Sequence, residues 1–432
     1  MHIIVIGCGL AGLTVAIALK RGGHTVEMLE SAAEISYIGA GKATVHLYWL
    51  SSRSNFVGIQ VSPNSSRILR KLGVDKFIEK YVTEPIDLKM MRWEDGKMLV
   101  ETPLKEPAHN EYGSPYWHIH RADLHRGLLE CATELGITLH LNSRVVEVDP
   151  YGPSLVTKEG KRYTADLIVA SDGLNSVCRA VVLGKPGPPV PTGQMVYRVT
   201  LPVRELKDIP EVKDLITTPR NNHWIGPQGT ILSYLLEGVN ETLINFVFTC
   251  DVNMPDGVNQ KIGDNKEIRA SFKKWDPRLD MILEHVDEVL EWRLYTHEEM
   301  PTWVHGSGKM CVIGDAAHAM TPYLAQGAAM GIEDSAILGG LLAKFPSKDT
   351  LHKALLLYEK LRLPRVTKVA NESINSRYFT QMPDGPEQEE RDEYLLSHPG
   401  VQVGHRNNRS RKEFLDELFG YDAYKVLETA SI

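Results

Sequence analysis

The first thirty residues constrain the fold most. "HIIVIGCGLAGLTVAIALKRGGHTVEMLE" holds a short β-branched run, Ile3 to Ile6, followed at once by Gly7-x-Gly9-x-x-Gly12 and a helical stretch through Lys20. A second apolar run, His24 to Leu29, ends in Glu30. A short run that is apolar at every position marks a parallel strand buried on both faces. Gly7 permits a tight turn, Gly9 lets backbone approach a pyrophosphate, and Gly12 lets the helix pack closely on the strand. Leu10 and Ala11, between the last two glycines, belong to the same candidate site. Glu30, 18 residues after Gly12, is placed to accept hydrogen bonds from a ribose diol. A carboxylate there favours an adenosine with a free 2′-hydroxyl, as in NAD or FAD, over NADP. A glycine-rich turn without a ligand is the competing reading; the strand before, the helix after and the acid beyond argue against it.

Two later segments repeat the logic. "YTADLIVASDGLNSVCR" (163–179) is a strand, Leu167 to Ala170, that delivers Asp172-Gly173. "GKMCVIGDAAHAMTPYLAQGAAMGIEDSAILGGLL" (308–342) is a third, delivering Gly314-Asp315 and running through Pro322 and Gly327 into a helix that begins near Ala328. Each puts an acid and a glycine at the C-terminal edge of a strand, where open α/β sheets bind ligands. Asp315 is suited to a ribityl hydroxyl, and a helix starting near Gly327 aims N–H groups at a pyrophosphate or at the O2 side of a flavin.

Composition removes other classes. The chain has 432 residues and a formal charge of −7, enough for about three domains and against a phosphate-binding basic face; nucleic acid is not an expected partner. Five cysteines stand far apart with no CxxC pair, which argues against a disulfide framework and a cysteine zinc site. The sixteen histidines show no metal spacing; His118-x-His120 alternates like a strand without carboxylate partners. No metal is expected. Residues 3–20 are apolar but broken by Gly7, Gly9 and Gly12 and lack a basic n-region, so they read as neither signal peptide nor membrane span. A soluble, cytoplasmic protein without a membrane span is expected, as monomer or homodimer.

The set GxGxxG…Glu30, "RADLHRGLL" (121–129), "SDGLNSVCR" and "VIGDAAHAMTPYLAQGAAMGIEDS" resembles the class A flavoprotein monooxygenases, the FAD hydroxylases of the p-hydroxybenzoate and salicylate hydroxylase kind. The likeness extends to "YEKLRLPRVTKV" and "MPDGPEQEERDEY" and is greatest to the members of fungal secondary metabolism. It implies an α/β fold: a Rossmann-like FAD-binding domain of the p-hydroxybenzoate hydroxylase type, an inserted antiparallel β substrate domain and a helical C-terminal part. It also implies FAD, with NADH or NADPH as transient co-substrate, and dioxygen. Together they hydroxylate or epoxidise an aromatic substrate, phenolic or indole-type, through a flavin C4a-hydroperoxide. By motif, Glu30 would bind the adenosine ribose, Arg121 the FAD phosphate region and Asp315 the ribityl chain. Gly327 and Ala328 would face the pyrophosphate and flavin ring, and Asp172-Gly173 would serve FAD and the transient nicotinamide. Two departures stand out: the usual Gly-Gln-Gly is Ala325-Gln326-Gly327, read as mild because the helix-start glycine survives, and the residue after Glu30, often Arg, is Ser31.

The expected division is residues 1–75, 100–185 and 300–345 for FAD, 76–99 and 186–299 for the substrate sheet, and a helical region 346–432, with a helix restarting at Pro364. A phenol reacts better as phenolate, so a cation or donor near its oxygen is needed. The resemblance places a pocket-facing arginine on "GQMVYRVTLPV" (193–203), which selects Arg198; Tyr234 is a second candidate for holding substrate. On the residues alone, a strand arginine is more often solvated, and a core tyrosine explains Tyr234 equally well. His318 is read as a packing residue.

One segment does not fit. "YIGAG" (37–41), whose Ala40 and Gly41 count with the cofactor set, and "IQVSPNSSRILRKLGV" (59–74) both match the family, yet "KATVHLYWLSSRSNFVG" (42–58) separates them. Joining Gly41 to Ile59 restores "IGAGIQVSPNSSRIL". Gly41-Lys42 can be encoded GGTAAG and Val57-Gly58 as GTAGGN, with GT and AG at the ends of a short intron. We read 42–58 as a retained intron; a surface insertion is the alternative. Two rival outcomes remain open here, a same-fold flavin oxidoreductase without oxygen insertion and a chain inactivated by 42–58.

Overall fold

A computed structural model describes residues 1–34, 57–238, 241–252, 254, 255, 257–399 and 408–432. Ala40, Gly41 and residues 42–56 of the unmatched segment lie outside the described residues.

A parallel five-stranded sheet forms one centre, in the order Met310–Val312, Leu167–Ala170, His2–Ile6, Thr25–Leu29, Thr138–His140. Ile3 is opposite Leu167 on one side and Val26 on the other, and Ile3, Ile4 and Val5 are completely buried. The apolar run thus fills both faces of a central strand. The helix Leu10–Arg21 covers it and packs against the helix Gly327–Lys344. That contact is close because small residues meet: a β-carbon on Gly339 would come 2.6 Å from the Ala18 Cβ, and one on Gly331 2.9 Å from that of Ala11.

The second centre is an eight-stranded mixed sheet, in the order Gln260–Asp264, Glu288–Thr296, Val190–Pro202, Thr242–Cys250, Gly229–Glu237, Asn221–Gly226, Asp87–Arg92, Met98–Pro103. Side chains alternate across a strand, so its two faces differ in kind. One buries Tyr197, Val199, Trp224, Phe246 and Phe248 in a core with the helices Asn265–Ser271 and Pro277–Leu283. On the other, Arg198, Val247, Leu232, His223 and Met90 stand in one cross-strand row. Thr200, Asn245 and Tyr234 form the next row. This polar face looks toward the first centre through a two-stranded ladder of Gly58–Val61 and Trp117–His120.

The C-terminal part is helical, and it corrects the expected restart at Pro364. Leu351–Thr380 is one 30-residue helix with Pro364 inside it. A proline in a helix interior costs about 3 kcal/mol, and the residues around it offset that. Arg362 and Arg365 are tied to Glu333 and Asp334 on the neighbouring helix. Among the described residues, no helix is long and apolar enough to cross a membrane, and no group of three or more His, Cys, Asp or Glu side chains is placed to hold a metal ion.

Candidate active site

The glycine turn is built tightly on one side and open on the other. Gly7 has φ +94°, and a β-carbon on it would lie 2.5 Å from the Ser171 carbonyl oxygen. One on Gly12 would lie 2.1 Å from the Gly7 carbonyl oxygen, whereas one on Gly9 would meet nothing within 4 Å among the described residues. Gly9 begins the Leu10–Arg21 helix, so unfilled space adjoins the end of a helix rich in free N–H groups. Glu30 stands at the same edge. One carboxylate oxygen accepts from the Cys8 N–H at 2.8 Å, and the other from the Ala32 N–H at 2.8 Å and the Ser31 hydroxyl at 3.0 Å. Arg121 is exposed at the start of the helix Arg121–Glu134.

The other two acid–glycine pairs differ in use. Asp172 caps a helix: it accepts from the Ser176 hydroxyl at 2.5 Å and the Cys178 N–H at 3.2 Å, just before Val177–Leu183. Gly173 has φ +76° with open space beyond. Gly314, at φ +58°, releases Asp315 to the surface, and its N–H donates to Asp334 at 3.1 Å. Gly327 starts the Gly327–Lys344 helix with nothing nearer its β-position than Met320 Cγ at 3.9 Å. Ala328 follows, partly exposed. The open β-positions at Gly9, Gly173 and Gly327, the Glu30 carboxylate and the two helix starts fit an extended dinucleotide such as FAD.

A buried ionic network lies behind this edge, and sequence reasoning missed it. Arg362 donates to Glu333 at 2.5 Å and to Asp334 at 2.8 Å, and all three side chains are inaccessible to solvent. Arg365 also reaches Glu333, at 2.7 Å. His318 is not simply packed but contacts Asp334 at 2.6 Å. Asn64 joins Glu333 at 2.7 Å and Gln326 at 3.1 Å. Burial alone would raise both carboxyls; the arginines, and His318 beside Asp334, hold them below their ordinary range. The signal was present as charged residues inside apolar helical stretches, "GIEDSAIL" and "LRLPRV", since charges are rarely buried unless paired. The network locks the turns at 62–64, 314–318 and 325–327 to one another. Ala325, in the last of these, has φ +53°, where an L-residue is strained. The departure from glycine there is therefore a strained position rather than a neutral one.

A cavity of about 160 Å³ opens beside that turn. Its walls are Pro322 to Ala325, the polar-face residues Leu88, Asn221, His223 and Leu232, Gln60 and Tyr116 from the ladder side, and Leu418 and Phe419 from the helix Asn408–Phe419. Tyr116 donates to Gln60 at 2.6 Å, and Gln60 donates to Asn221 at 3.0 Å. His223 contacts the Thr230 hydroxyl at 2.5 Å, and burial pushes its pKa down to about 4.

Arg198 and Tyr234 share the sheet's polar face with these residues but do not line the cavity. Tyr234 is buried against His118, ring centres 4.4 Å apart. Burial raises its pKa, and the Arg198 charge opposes that rise. The Arg198 guanidinium lies 5.4 Å from the Trp292 ring, and burial lowers its pKa. Arg198 Nε, Trp292 Nε1 and Asn245 Nδ2 are three buried donors without a hydrogen-bond partner among the described residues.

Comparison with known proteins agrees with this geometry. The family model described as FAD binding domain matches residues 1–373. The chain is 34% identical over 435 residues to the FAD-dependent monooxygenase OpS4 of Beauveria bassiana, covering 100% of this chain and 97% of that one. It is 34% identical over 392 residues to the 3-amino-4-hydroxybenzoate 2-monooxygenase PtmB3 of Streptomyces platensis, covering 90% and 91%. A crystal structure of Klebsiella pneumoniae HpxO with FAD and uric acid superposes with a TM-score of 0.78 at 22% identity, covering 97% of each chain, and shows the same fold. The chain belongs to the FAD-binding domain family.

Proposed function

We propose that this protein is an FAD-dependent monooxygenase that uses NADH or NADPH and dioxygen to hydroxylate or epoxidise an aromatic substrate. The observation that carries the reading is the cavity ending on Pro322–Ala325, one residue short of the helix start at Gly327 that suits a flavin. Relatives named as monooxygenases along nearly their full length support it.

In this reading the Gly7–Gly12 turn with Leu10 and Ala11 holds the pyrophosphate, Glu30 the adenosine ribose and Arg121 the phosphate region. Asp315 holds the ribityl chain, Gly327 and Ala328 turn N–H groups to the flavin, and Asp172-Gly173 border it. Bound FAD supplies the activation of dioxygen. The remaining tasks fall to side chains. The apolar cavity walls exclude water from the reacting ring. Arg198, whose Nε has no partner among the described residues, would stabilise negative charge on a substrate oxygen that extends beyond the cavity along the sheet's polar face, and Tyr234 would orient that oxygen by hydrogen bonding.

The test is the visible spectrum of the purified protein, then NAD(P)H consumption with a panel of aromatics and mass analysis of product made under labelled dioxygen. A flavin spectrum with label in the product supports the reading. Folded, colourless protein defeats the cofactor assignment. Peroxide release without labelled product makes the protein a flavin oxidoreductase that inserts no oxygen.

A further inference from the structure

We infer that the cavity selects the uncharged form of an aromatic ligand and rejects its carboxylate; this rests on the hydroxylase reading for turnover but not for binding.

Among the described lining residues none is Lys, Arg, Asp or Glu. The wall's polarity comes from carboxamides, hydroxyls and one imidazole. Those groups form a neutral chain: the Tyr116 hydroxyl donates to the Gln60 carbonyl, and the Gln60 amide donates to the Asn221 carbonyl. Gln60 and Asn221 are each at least nine-tenths buried, so their dipoles are fixed rather than free to turn toward an incoming charge. His223 is the one basic group among the described lining residues. It sits beside the Thr230 hydroxyl, and its burial keeps the ring uncharged at neutral pH.

The nearest cation in the same cross-strand row is Arg198, three strands from His223. At the usual spacing that is about 14 Å between backbones. Arg377, near the cavity's far wall, is already paired with Asp251 at 2.9 Å. Arg67, behind the wall, already donates to the carbonyl oxygens of Tyr112, Phe419 and Tyr421, so among the described residues a carboxylate in this cavity would lose its hydration and meet no free countercharge in the wall, which disfavours it strongly. A phenol, ester, lactone or amide would exchange water for the Gln60–Asn221 dipoles and His223 at little loss. The volume suits at least one ring, since an apolar cavity of about 150 Å³ accepts benzene. The selectivity differs from that implied by the name of the Streptomyces relative, whose substrate is a hydroxybenzoate.

The test uses flavin-loaded protein at pH 7.5 and three matched pairs: 4-hydroxybenzoate, 4-hydroxycinnamate and 6-hydroxy-2-naphthoate, each against its methyl ester. Binding is read from tryptophan fluorescence and from perturbation of the flavin spectrum, neither of which needs turnover. The expected result is that at least one ester binds, and that every ester that binds does so at least tenfold more tightly than its acid. An acid binding as tightly as its ester, or no ester binding at all, overturns the inference. His223→Arg places a cation in the wall and is expected to narrow or reverse the ratio by tenfold or more; Leu232→Arg serves if that variant fails to fold. An unchanged ratio in a folded variant also counts against the assignment. Ester preference without oxygenated product would sink the hydroxylase reading alone, whereas acid preference with oxygenated product would sink only this inference.

Discussion

The β-position of Gly58 points at Tyr234: a β-carbon there would lie 2.7 Å from the Tyr234 hydroxyl oxygen and 3.0 Å from Asn245 Cγ. The Gly58 N–H meanwhile donates to Asn245 Oδ1 at 3.1 Å. The residue preceding Ile59 therefore has to be glycine for the ladder to lie on the polar face. Gly58→Ala should destabilise the protein by about 1–3 kcal/mol through overpacking, read from chemical denaturation. An unchanged midpoint would mean that the ladder shifts freely.

That requirement bears on the unmatched segment. Removing Lys42–Gly58 joins Gly41 to Ile59 and regenerates Gly-Ile-Gln-Val, the sequence of the strand Gly58–Val61. We propose that the shortened chain is the mature protein. It should fold at least as stably as the full chain and bind about one FAD per chain. Gly41→Ala in the shortened chain should then reproduce the defect of Gly58→Ala. A shortened chain that is colourless beside a yellow full-length chain, or spliced transcript that retains these codons, would place 42–58 in the protein.

Ala325 occupies a left-handed conformation at φ +53°. An L-residue pays about 1 kcal/mol there, and glycine does not. Ala325→Gly should stabilise the protein by roughly that amount despite the greater freedom glycine gives the unfolded chain. Thermal melts of the two proteins, run with and without added FAD, decide it; a lower melting temperature for the variant refutes the strain.

Arg362 neutralises Glu333 and Asp334 in a region without solvent. Arg362→Met should cost about 3–5 kcal/mol, because it strips much of the compensation from two buried carboxylates. The pH dependence has a definite sign. Carboxyls held low in the folded state contribute stability that is present above their unfolded pKa, near 4, and lost as pH falls through the folded values. In the variant, burial dominates and raises them, so protonation relieves the defect. The stability gap between the two proteins should be larger at pH 7.5 than at pH 5, and a gap independent of pH would contradict the network.

Arg198→Gln removes a charge that no described acid neutralises. Under the proposed role it should lower kcat/KM by about 10²-fold, the range seen when one preorganised donor to a developing negative charge is lost. Flavin content should be unchanged. Equal kcat/KM in the variant would return Arg198 to being a strand residue held by its contact with Trp292.

Contiguous residues carried the first centre. A strand, a glycine turn and a helix are adjacent in the chain, and their periods and spacing are local properties, so Ile3–Ile6, Gly7, Gly9, Gly12, Glu30 and the Leu167–Ala170 strand were legible from the sequence. Arg198 and Tyr234 were selected only through the resemblance, since a strand arginine and a buried tyrosine carry no local signature, and their roles stay proposals.

Tertiary structure alone decided the rest. Gln60 and Asn221 are 161 positions apart and meet because two separate sheets face each other. His223 turns toward the cavity while Trp224 beside it enters the opposite core, a choice made by pairing register rather than by residue type. Pro364 sits within an unbroken helix because Glu333 and Asp334, on another helix, hold the arginines on either side of it. Local preferences of a few kcal/mol yield when buried charges must find partners, and which partners they find depends on the packing of distant segments.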